Sequence, residues 1–106
     1  MEEIVYLNGV LIPRSLATIS PFDHGFLYGY GLFETMRADN GVIFRLDRHL
    51  ARLLKAAETL GIQSQLTSMD LETACYHTLT LNELSDARLR LTVSAGEGDI
   101  GADAHL

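Results

Sequence analysis

The sequence predicts an α+β domain in which an antiparallel sheet built from hairpins carries two helices on one face. Two observations predict this class. Strand-like runs separated by turn residues fill most of the first 46 positions, and two segments with helical periodicity then precede a last alternating run that ends at Ser94. Hairpin strands and consecutive helices are typical of folds in which the helices cover one sheet face. The length of 106 residues fits one compact domain.

The first hairpin is predicted by a turn dipeptide between two short β-prone runs. Residues 4–7 are Ile-Val-Tyr-Leu and residues 10–12 are Val-Leu-Ile, with Asn8 and Gly9 between them. Both turn residues tolerate positive φ, as a type I′ turn requires. We therefore expect two antiparallel strands near the start of the chain.

An irregular segment is expected over residues 20–31. Pro21 and three glycines, Gly25, Gly29 and Gly31, interrupt any regular pattern there. Glycine also allows positive φ and a close approach of the backbone to other groups. We expect this segment to hold at most one helical turn.

A second hairpin is predicted after this segment. Residues 32–38 alternate apolar and polar side chains, residues 39–41 are Asp-Asn-Gly, and residues 42–46 are again strand-like. The polar tripeptide has the composition of a tight turn. The two runs on either side of it are therefore expected to pair.

Two helices are predicted from apolar residues at helical spacing. The first is expected to have Asp47 as its N-cap and Gly61 just after its C-terminus. Its apolar positions are Leu50, Leu53, Leu54, Ala57 and Leu60. The second helix is expected to start at Thr67 or Ser68 and to end near Leu84.

The last strand is predicted over residues 87–94, where apolar and polar side chains alternate. Residues 96–106 are small, acidic and without any period, which is the composition of a loop or linker. We therefore expect a small α+β domain over residues 1–95, followed by a linker or interdomain loop over residues 96–106.

Composition disfavours several classes of function. The net charge of −6 does not provide the attraction to phosphates on which nucleic-acid binding depends. The four histidines show no metal-ligand spacing, so no metal site is predicted. No membrane-spanning run or signal segment is found, which favours a soluble, cytoplasmic protein. The single cysteine, Cys75, is expected to be a buried helical residue.

Two segments together carry a resemblance to a known family. Residues 20–37, Ser-Pro-Phe-Asp-His-Gly-Phe-Leu-Tyr-Gly-Tyr-Gly-Leu-Phe-Glu-Thr-Met-Arg, resemble the signature segment of the class IV (fold type IV) pyridoxal-phosphate enzymes. Residues 42–46 followed by residues 49–53, His-Leu-Ala-Arg-Leu, are similar to the strand and phosphate-binding helix of the same family. The family includes branched-chain aminotransferases, D-amino acid aminotransferases and 4-amino-4-deoxychorismate lyases. The resemblance implies the fold of the small N-terminal domain.

The resemblance also implies the roles of four residues. Arg52 matches the arginine that binds the phosphate of pyridoxal phosphate; a solvated surface arginine is the alternative. Phe33 would face the substrate, unless it is a core strand residue. Tyr28 would reach the active site of a neighbouring subunit, and without one it would be a buried or interfacial tyrosine. Arg90 would lie on the strand near the pocket, with a plain exposed arginine as the alternative.

The chemistry of this family requires a Schiff-base lysine, which the family supplies beyond the point where this chain ends. The chain has one lysine, Lys55, one helical turn after Arg52, and we do not expect it to form the Schiff base. No catalytic residue is therefore assigned, and this chain alone is expected to be inactive. The Gly29-Tyr30-Gly31 triplet replaces the usual Gly-Asp-Gly. No Arg-x-His motif occurs near Asp99, which disfavours D-amino acid substrates.

The resemblance implies an enzyme that transfers an amino group between an amino acid, with a branched-chain type favoured, and a 2-oxo acid. An aminodeoxychorismate lyase of the same family is an alternative. A further alternative is a non-catalytic module for dimerisation or ligand binding. A separated small domain would expose apolar surface, so a homo-oligomer is expected.

Overall fold

The computed structural model describes residues 2–63, 66 and 70–97. The chain forms five β-strands, three α-helices and one 3-10 turn in these ranges. In order these are β1 Ile4–Leu7, β2 Val10–Pro13, the 3-10 turn Arg14–Leu16, α1 His24–Tyr28, β3 Gly31–Asp39, β4 Val42–Ile43, α2 Leu46–Leu60, α3 Leu71–Leu81 and β5 Ala87–Ser94. No helix in the described ranges is long and apolar enough to span a membrane. The predicted α+β class is confirmed.

The strands form two separate antiparallel sheets. β1 and β2 pair with each other, whereas β3 lies between β4 and β5 in a three-stranded sheet. The predicted turn of the first hairpin is confirmed, with φ of 51° at Asn8 and 90° at Gly9. This hairpin contacts the C-terminal end of α3: the Asn82 side chain accepts a hydrogen bond from Ile4 N and donates one to Ile4 O.

Side chains of β3 alternate between two faces of the larger sheet. Met36 and Ala38 point toward the helices and are almost fully buried, while Arg37 between them is exposed. Cys75 and Leu79 of α3 belong to the same cluster of buried residues as Met36. Both helices therefore cover one face of the sheet, as predicted, and the other face is open.

The second hairpin and the start of α2 differ from the prediction. β4 ends at Ile43 instead of continuing to residue 46, and Asp47 is not the N-cap. The N-cap is Arg45, whose φ of 53° places it in the left-handed region. This conformation reverses the chain direction, so the helix begins at Leu46 and Asp47 lies in its first turn. The predicted C-terminus is confirmed, since Gly61 caps α2 with φ of 76°.

The second long helix, α3, begins at Leu71 and ends at Leu81. Its N-cap is Asp70, whose carboxylate accepts hydrogen bonds from the backbone N and the hydroxyl of Thr73. The expected start at Thr67 or Ser68 lies outside the described residues. The expected end near Leu84 is wrong, because Asn82 caps the helix and the next residue has positive φ.

The remaining predictions concern Cys75, the last strand and the linker. Cys75 is buried in α3, as expected, and this burial raises the pKa of its thiol. The last strand, β5, covers Ala87–Ser94 as predicted. Most of the expected linker, residues 98–106, lies outside the described residues.

Candidate functional site

The segment before β3 is fastened to the end of β5. Asp23 caps α1 by accepting a hydrogen bond from Phe26 N at 3.0 Å, and its other carboxylate oxygen accepts one from the Ser94 hydroxyl. The Ser94 hydrogen bond is the main reason that the pKa of Asp23 is lowered. The backbone continues the attachment, since His24 N donates to Gly96 O and Ala95 N donates to Tyr30 O.

Two glycines permit this close approach of α1 and β3 to β5. A Cβ atom at Gly25 would lie 2.6 Å from Ser94 Cβ, and one at Gly31 would lie 2.7 Å from Val93 O. Both distances are shorter than non-bonded atoms accept. The glycines therefore set the distance between the α1 segment and the end of β5.

Tyr28 lies at the end of α1, where it is exposed. Its ring meets the ring of buried His24 edge to face, with 5.4 Å between centroids. The prediction of a buried or interfacial tyrosine is therefore wrong as to burial within this chain. Exposure leaves the phenol available to a partner surface.

Phe33 and Arg90 are brought together on the open face of the sheet. The guanidinium carbon of Arg90 lies 3.8 Å from the centroid of the Phe33 ring. Arg90 is directly opposite Thr35 in the β3–β5 register, which makes Phe33 its diagonal neighbour. Phe33 is exposed, so the alternative of a core strand residue is wrong.

Arg52 pairs with a carboxylate on the helix side of the same sheet. Its Nε donates to Oε2 of Glu34 at 2.9 Å and its Nη2 donates to Oε1 at 2.7 Å. His49 Nδ1 also donates to Oε1, at 2.7 Å. Arg52, followed by burial and His49 acting in opposite directions, shifts the pKa of Glu34 down to about 2. Glu34 is therefore ionised and accepts all three hydrogen bonds.

The predicted site residues thus fall into separate groups. Phe33 and Arg90 share the open face, Arg52 lies with Glu34 on the helix face, and Tyr28 lies on α1. Sequence reasoning missed Glu34. Its signal is the parity of β3, because Glu34 occupies an inward position together with Met36, and a buried carboxylate requires partners.

A phosphate group fits the donors that Arg52 has left. The side chain of Arg52 is 72% exposed, and Glu34 occupies only the edge formed by Nε and Nη2. A guanidinium carries five N–H donors, so the edge formed by Nη1 and Nη2 remains for a second anion. The negative charge of Glu34 excludes a phosphate from the first edge and leaves the second.

Comparison with known proteins identifies relatives over most of the chain. A family described as amino-transferase class IV matches residues 31–105. A putative branched-chain-amino-acid aminotransferase of Methanocaldococcus jannaschii is 44% identical over 93% of this chain and 34% of its own length. An aminodeoxychorismate lyase of Bacillus subtilis is 42% identical over 92% of this chain and 34% of its own. The chain therefore spans about a third of the length of these relatives.

Solved structures agree with the sequence comparisons. The branched-chain amino acid aminotransferase of Escherichia coli superimposes with a TM-score of 0.79 at 25% identity, over 91% of this chain and 33% of that protein. The T.th. enzyme of the same name, in complex with N-(5'-phosphopyridoxyl)-L-glutamate, has a TM-score of 0.72 at 25% identity over 87% of this chain and 32% of its own. The fold described above is therefore shared with these proteins.

Proposed function

We propose that this chain, which belongs to the class IV amino-transferase family, forms the small domain of an enzyme that transfers an amino group between an amino acid and a 2-oxo acid. The observation that carries the proposal is the exposed guanidinium of Arg52, anchored on one edge and open on the other. Such an arginine suits the phosphate of pyridoxal phosphate, the cofactor that this family implies.

Arg52 would hold the cofactor phosphate through the N–H donors of its open edge. Two parallel charge-assisted hydrogen bonds fix both the position and the orientation of the phosphate. The cofactor, when bound, supplies a ring that withdraws electrons from the α-carbon of the amino acid. The part played by this chain is to bind and orient that cofactor.

Phe33 and Arg90 would act on the substrate. The guanidinium of Arg90 can pair with a carboxylate of an amino acid or a 2-oxo acid, and stacking on Phe33 restricts its motion. The exposed ring of Phe33 can contact an apolar side chain of the substrate. These properties favour a substrate of the branched-chain type.

A lyase acting on aminodeoxychorismate is the second candidate. It is favoured by the relative from Bacillus subtilis, which is 42% identical to this chain, against 44% for the aminotransferase relative. The two reactions share the cofactor site and differ in the product. Pyruvate release from aminodeoxychorismate would identify the lyase, whereas amino transfer to 2-oxoglutarate would identify the aminotransferase.

We also propose that the protein acts as a homo-oligomer. A group of large apolar side chains is exposed around the 3-10 turn and α1: Leu16, Ile19, Phe22, Phe26, Leu27 and Tyr28. Surface of this kind is a common site of subunit contact, and a second copy would bury it. Light scattering should then give a mass of at least two subunits, and a monomer at high concentration would contradict this proposal.

The test of the phosphate assignment uses the full-length protein and its Arg52→Gln variant. Isothermal titration with pyridoxal phosphate and with pyridoxal, which lacks the phosphate, separates the phosphate contribution from the rest. We expect the wild type to prefer pyridoxal phosphate, and the variant to lose roughly tenfold or more of that preference. Equal affinity of the wild type for both compounds would overturn the assignment.

A further inference from the structure

We propose that Glu34 is a positioning residue that fixes the guanidinium of Arg52 in the orientation needed to bind a phosphate. The inference rests on the proposed function, because it concerns how the same phosphate site is built. It adds a residue on a different element, since Glu34 belongs to β3 and Arg52 to α2. The carboxylate itself would not touch the cofactor.

The position of Glu34 makes the pairing rigid. Only 8% of its side chain is exposed, because it lies on the inward face of β3 beneath helix α2. A buried carboxylate is costly unless its oxygens are hydrogen-bonded. Oε1 accepts from Arg52 Nη2 and His49 Nδ1, and Oε2 accepts from Arg52 Nε, so both oxygens are satisfied.

His49 completes the setting of the carboxylate. It lies three residues before Arg52, and residues at this spacing share one face of a helix. An ionised carboxylate cannot donate, so the hydrogen of this bond must be on His49 Nδ1. Helix α2 therefore holds Glu34 from two successive turns, and the carboxylate cannot rotate away from Arg52.

The pairing matters because Arg52 would otherwise be a flexible surface side chain. An arginine has many side-chain conformations, and holding a free one in a single conformation costs entropy. The two hydrogen bonds to Glu34 impose that conformation before any anion arrives. The open edge of the guanidinium is then already directed when the phosphate binds.

A purely structural ion pair between sheet and helix is the alternative role for Glu34. That role predicts that loss of Glu34 disturbs all cofactor binding together, through the fold. The positioning role predicts a loss confined to the phosphate. Pyridoxal and pyridoxal phosphate, which differ only in that group, therefore distinguish the two roles.

The experiment measures dissociation constants of both compounds by titration calorimetry on the full-length protein. The variants are Glu34→Gln, Arg52→Gln and the double variant, with Glu58→Gln, an exposed acid on α2, as the matched control. We expect Glu34→Gln to weaken pyridoxal phosphate about tenfold, as loss of an orienting partner does at other sites, and to leave pyridoxal unchanged. Glu58→Gln should change neither.

The double variant tests whether Glu34 acts through Arg52. We expect it to bind pyridoxal phosphate no more weakly than Arg52→Gln alone, because positioning a missing guanidinium has no effect. Full additivity of the two losses would overturn the inference. So would equal weakening of pyridoxal and pyridoxal phosphate by Glu34→Gln.

Arg52→Lys gives a second measurement that does not leave Glu34 without a cation. Lysine keeps the charge beside Glu34 but has no fork with two edges. We expect this variant to lose the preference for the phosphate compound, and a full preference would overturn the inference. If the wild type itself shows no preference, the proposed function fails as well; if Arg52→Gln loses it and Glu34→Gln keeps it, only the role of Glu34 fails.

Discussion

Arg37 lies directly opposite Arg88 across the antiparallel pair of β3 and β5, on the open face of the sheet. Like charges that face each other across a strand pair destabilise the sheet. Arg37 is partly compensated by Asp39, whose carboxylate lies 3.3 Å from its Nε. The pair thus concentrates positive charge on one face of a chain whose net charge is −6.

Arg88→Glu should stabilise the protein, because it replaces a like-charge pair by an opposite-charge pair. We expect a gain of about 0.5 kcal/mol in the free energy of unfolding at low salt. The gain should shrink at about 1 M salt, where charges on a surface are screened. Urea denaturation at both salt concentrations measures it, with Arg88→Lys as the control that keeps the charge and the stability. A destabilised Arg88→Glu variant would show that Arg88 has a favourable partner.

Glu34 should make the stability depend on pH in the acid range. Its pKa is about 2 in the folded protein, against 4.5 ordinarily, so ionised Glu34 stabilises the fold above about pH 4.5. This contribution is lost as the pH falls from about 4.5 toward 2, because the carboxylate then takes up a proton. Solvent beside exposed Arg52 screens the pair, so we expect about 1 to 2 kcal/mol in all.

The measurement for Glu34 is the difference in unfolding free energy between the wild type and Glu34→Gln at about pH 7, 4 and 2.5. The difference should be largest at neutral pH and should decrease at each lower pH. Glu58→Gln, on the exposed side of α2, is the control that corrects for net charge. A difference independent of pH would mean that the ion pair does not contribute to stability.

Gly25→Ala should destabilise the protein by about 1 to 3 kcal/mol, because the new Cβ would lie 2.6 Å from Ser94 Cβ. Shortening the neighbour should recover part of this loss, so the Gly25→Ala, Ser94→Gly double variant is expected to be more stable than the sum of the single changes predicts. Gly31→Ala offers a contrast, since it meets the Val93 carbonyl oxygen at 2.7 Å and no side-chain change can relieve that. Thermal unfolding of the four variants decides between these expectations.

Asp70→Ala should remove the N-cap of α3 and lower the melting temperature by roughly 5 °C, the usual scale for the loss of a cap in a domain of this size. The carboxylate of Asp70 accepts from Thr73 N at 3.0 Å, a donor that has no partner within the helix. Asp70→Asn keeps an oxygen that can accept this hydrogen bond and should cost much less. Thermal denaturation of the two variants gives the comparison, and equal losses would assign the effect to charge and not to the cap.

Local signals in the sequence were sufficient for the hairpins. The Asn8-Gly9 and Asn40-Gly41 dipeptides both adopt positive φ, because this preference belongs to the two residues themselves. The start of α2 was misplaced for the opposite reason. Arg45 adopts positive φ in the structure, which nothing in the properties of an arginine indicates.

The candidate site could be predicted only in part. The family resemblance pointed to Arg52, Phe33 and Arg90, but the partner of Arg52 depends on two elements that meet in three dimensions. Glu34 looked like an ordinary polar residue of an alternating strand until the strand had a known inward face. Contacts between elements of this kind are tertiary, and a pattern within one segment does not contain them.

The amide of Asn82 gives the first hairpin a point of attachment that can be opened separately. By bonding both the N–H and the C=O of Ile4, this side chain takes the place of a neighbouring strand at the end of α3. A segment held to its domain by such a clasp can detach and return while the three-stranded sheet stays folded. Hydrogen exchange should therefore be faster at the amides of β1 and β2 than at those of β3 and β5, and replacing Asn82 should speed only the former.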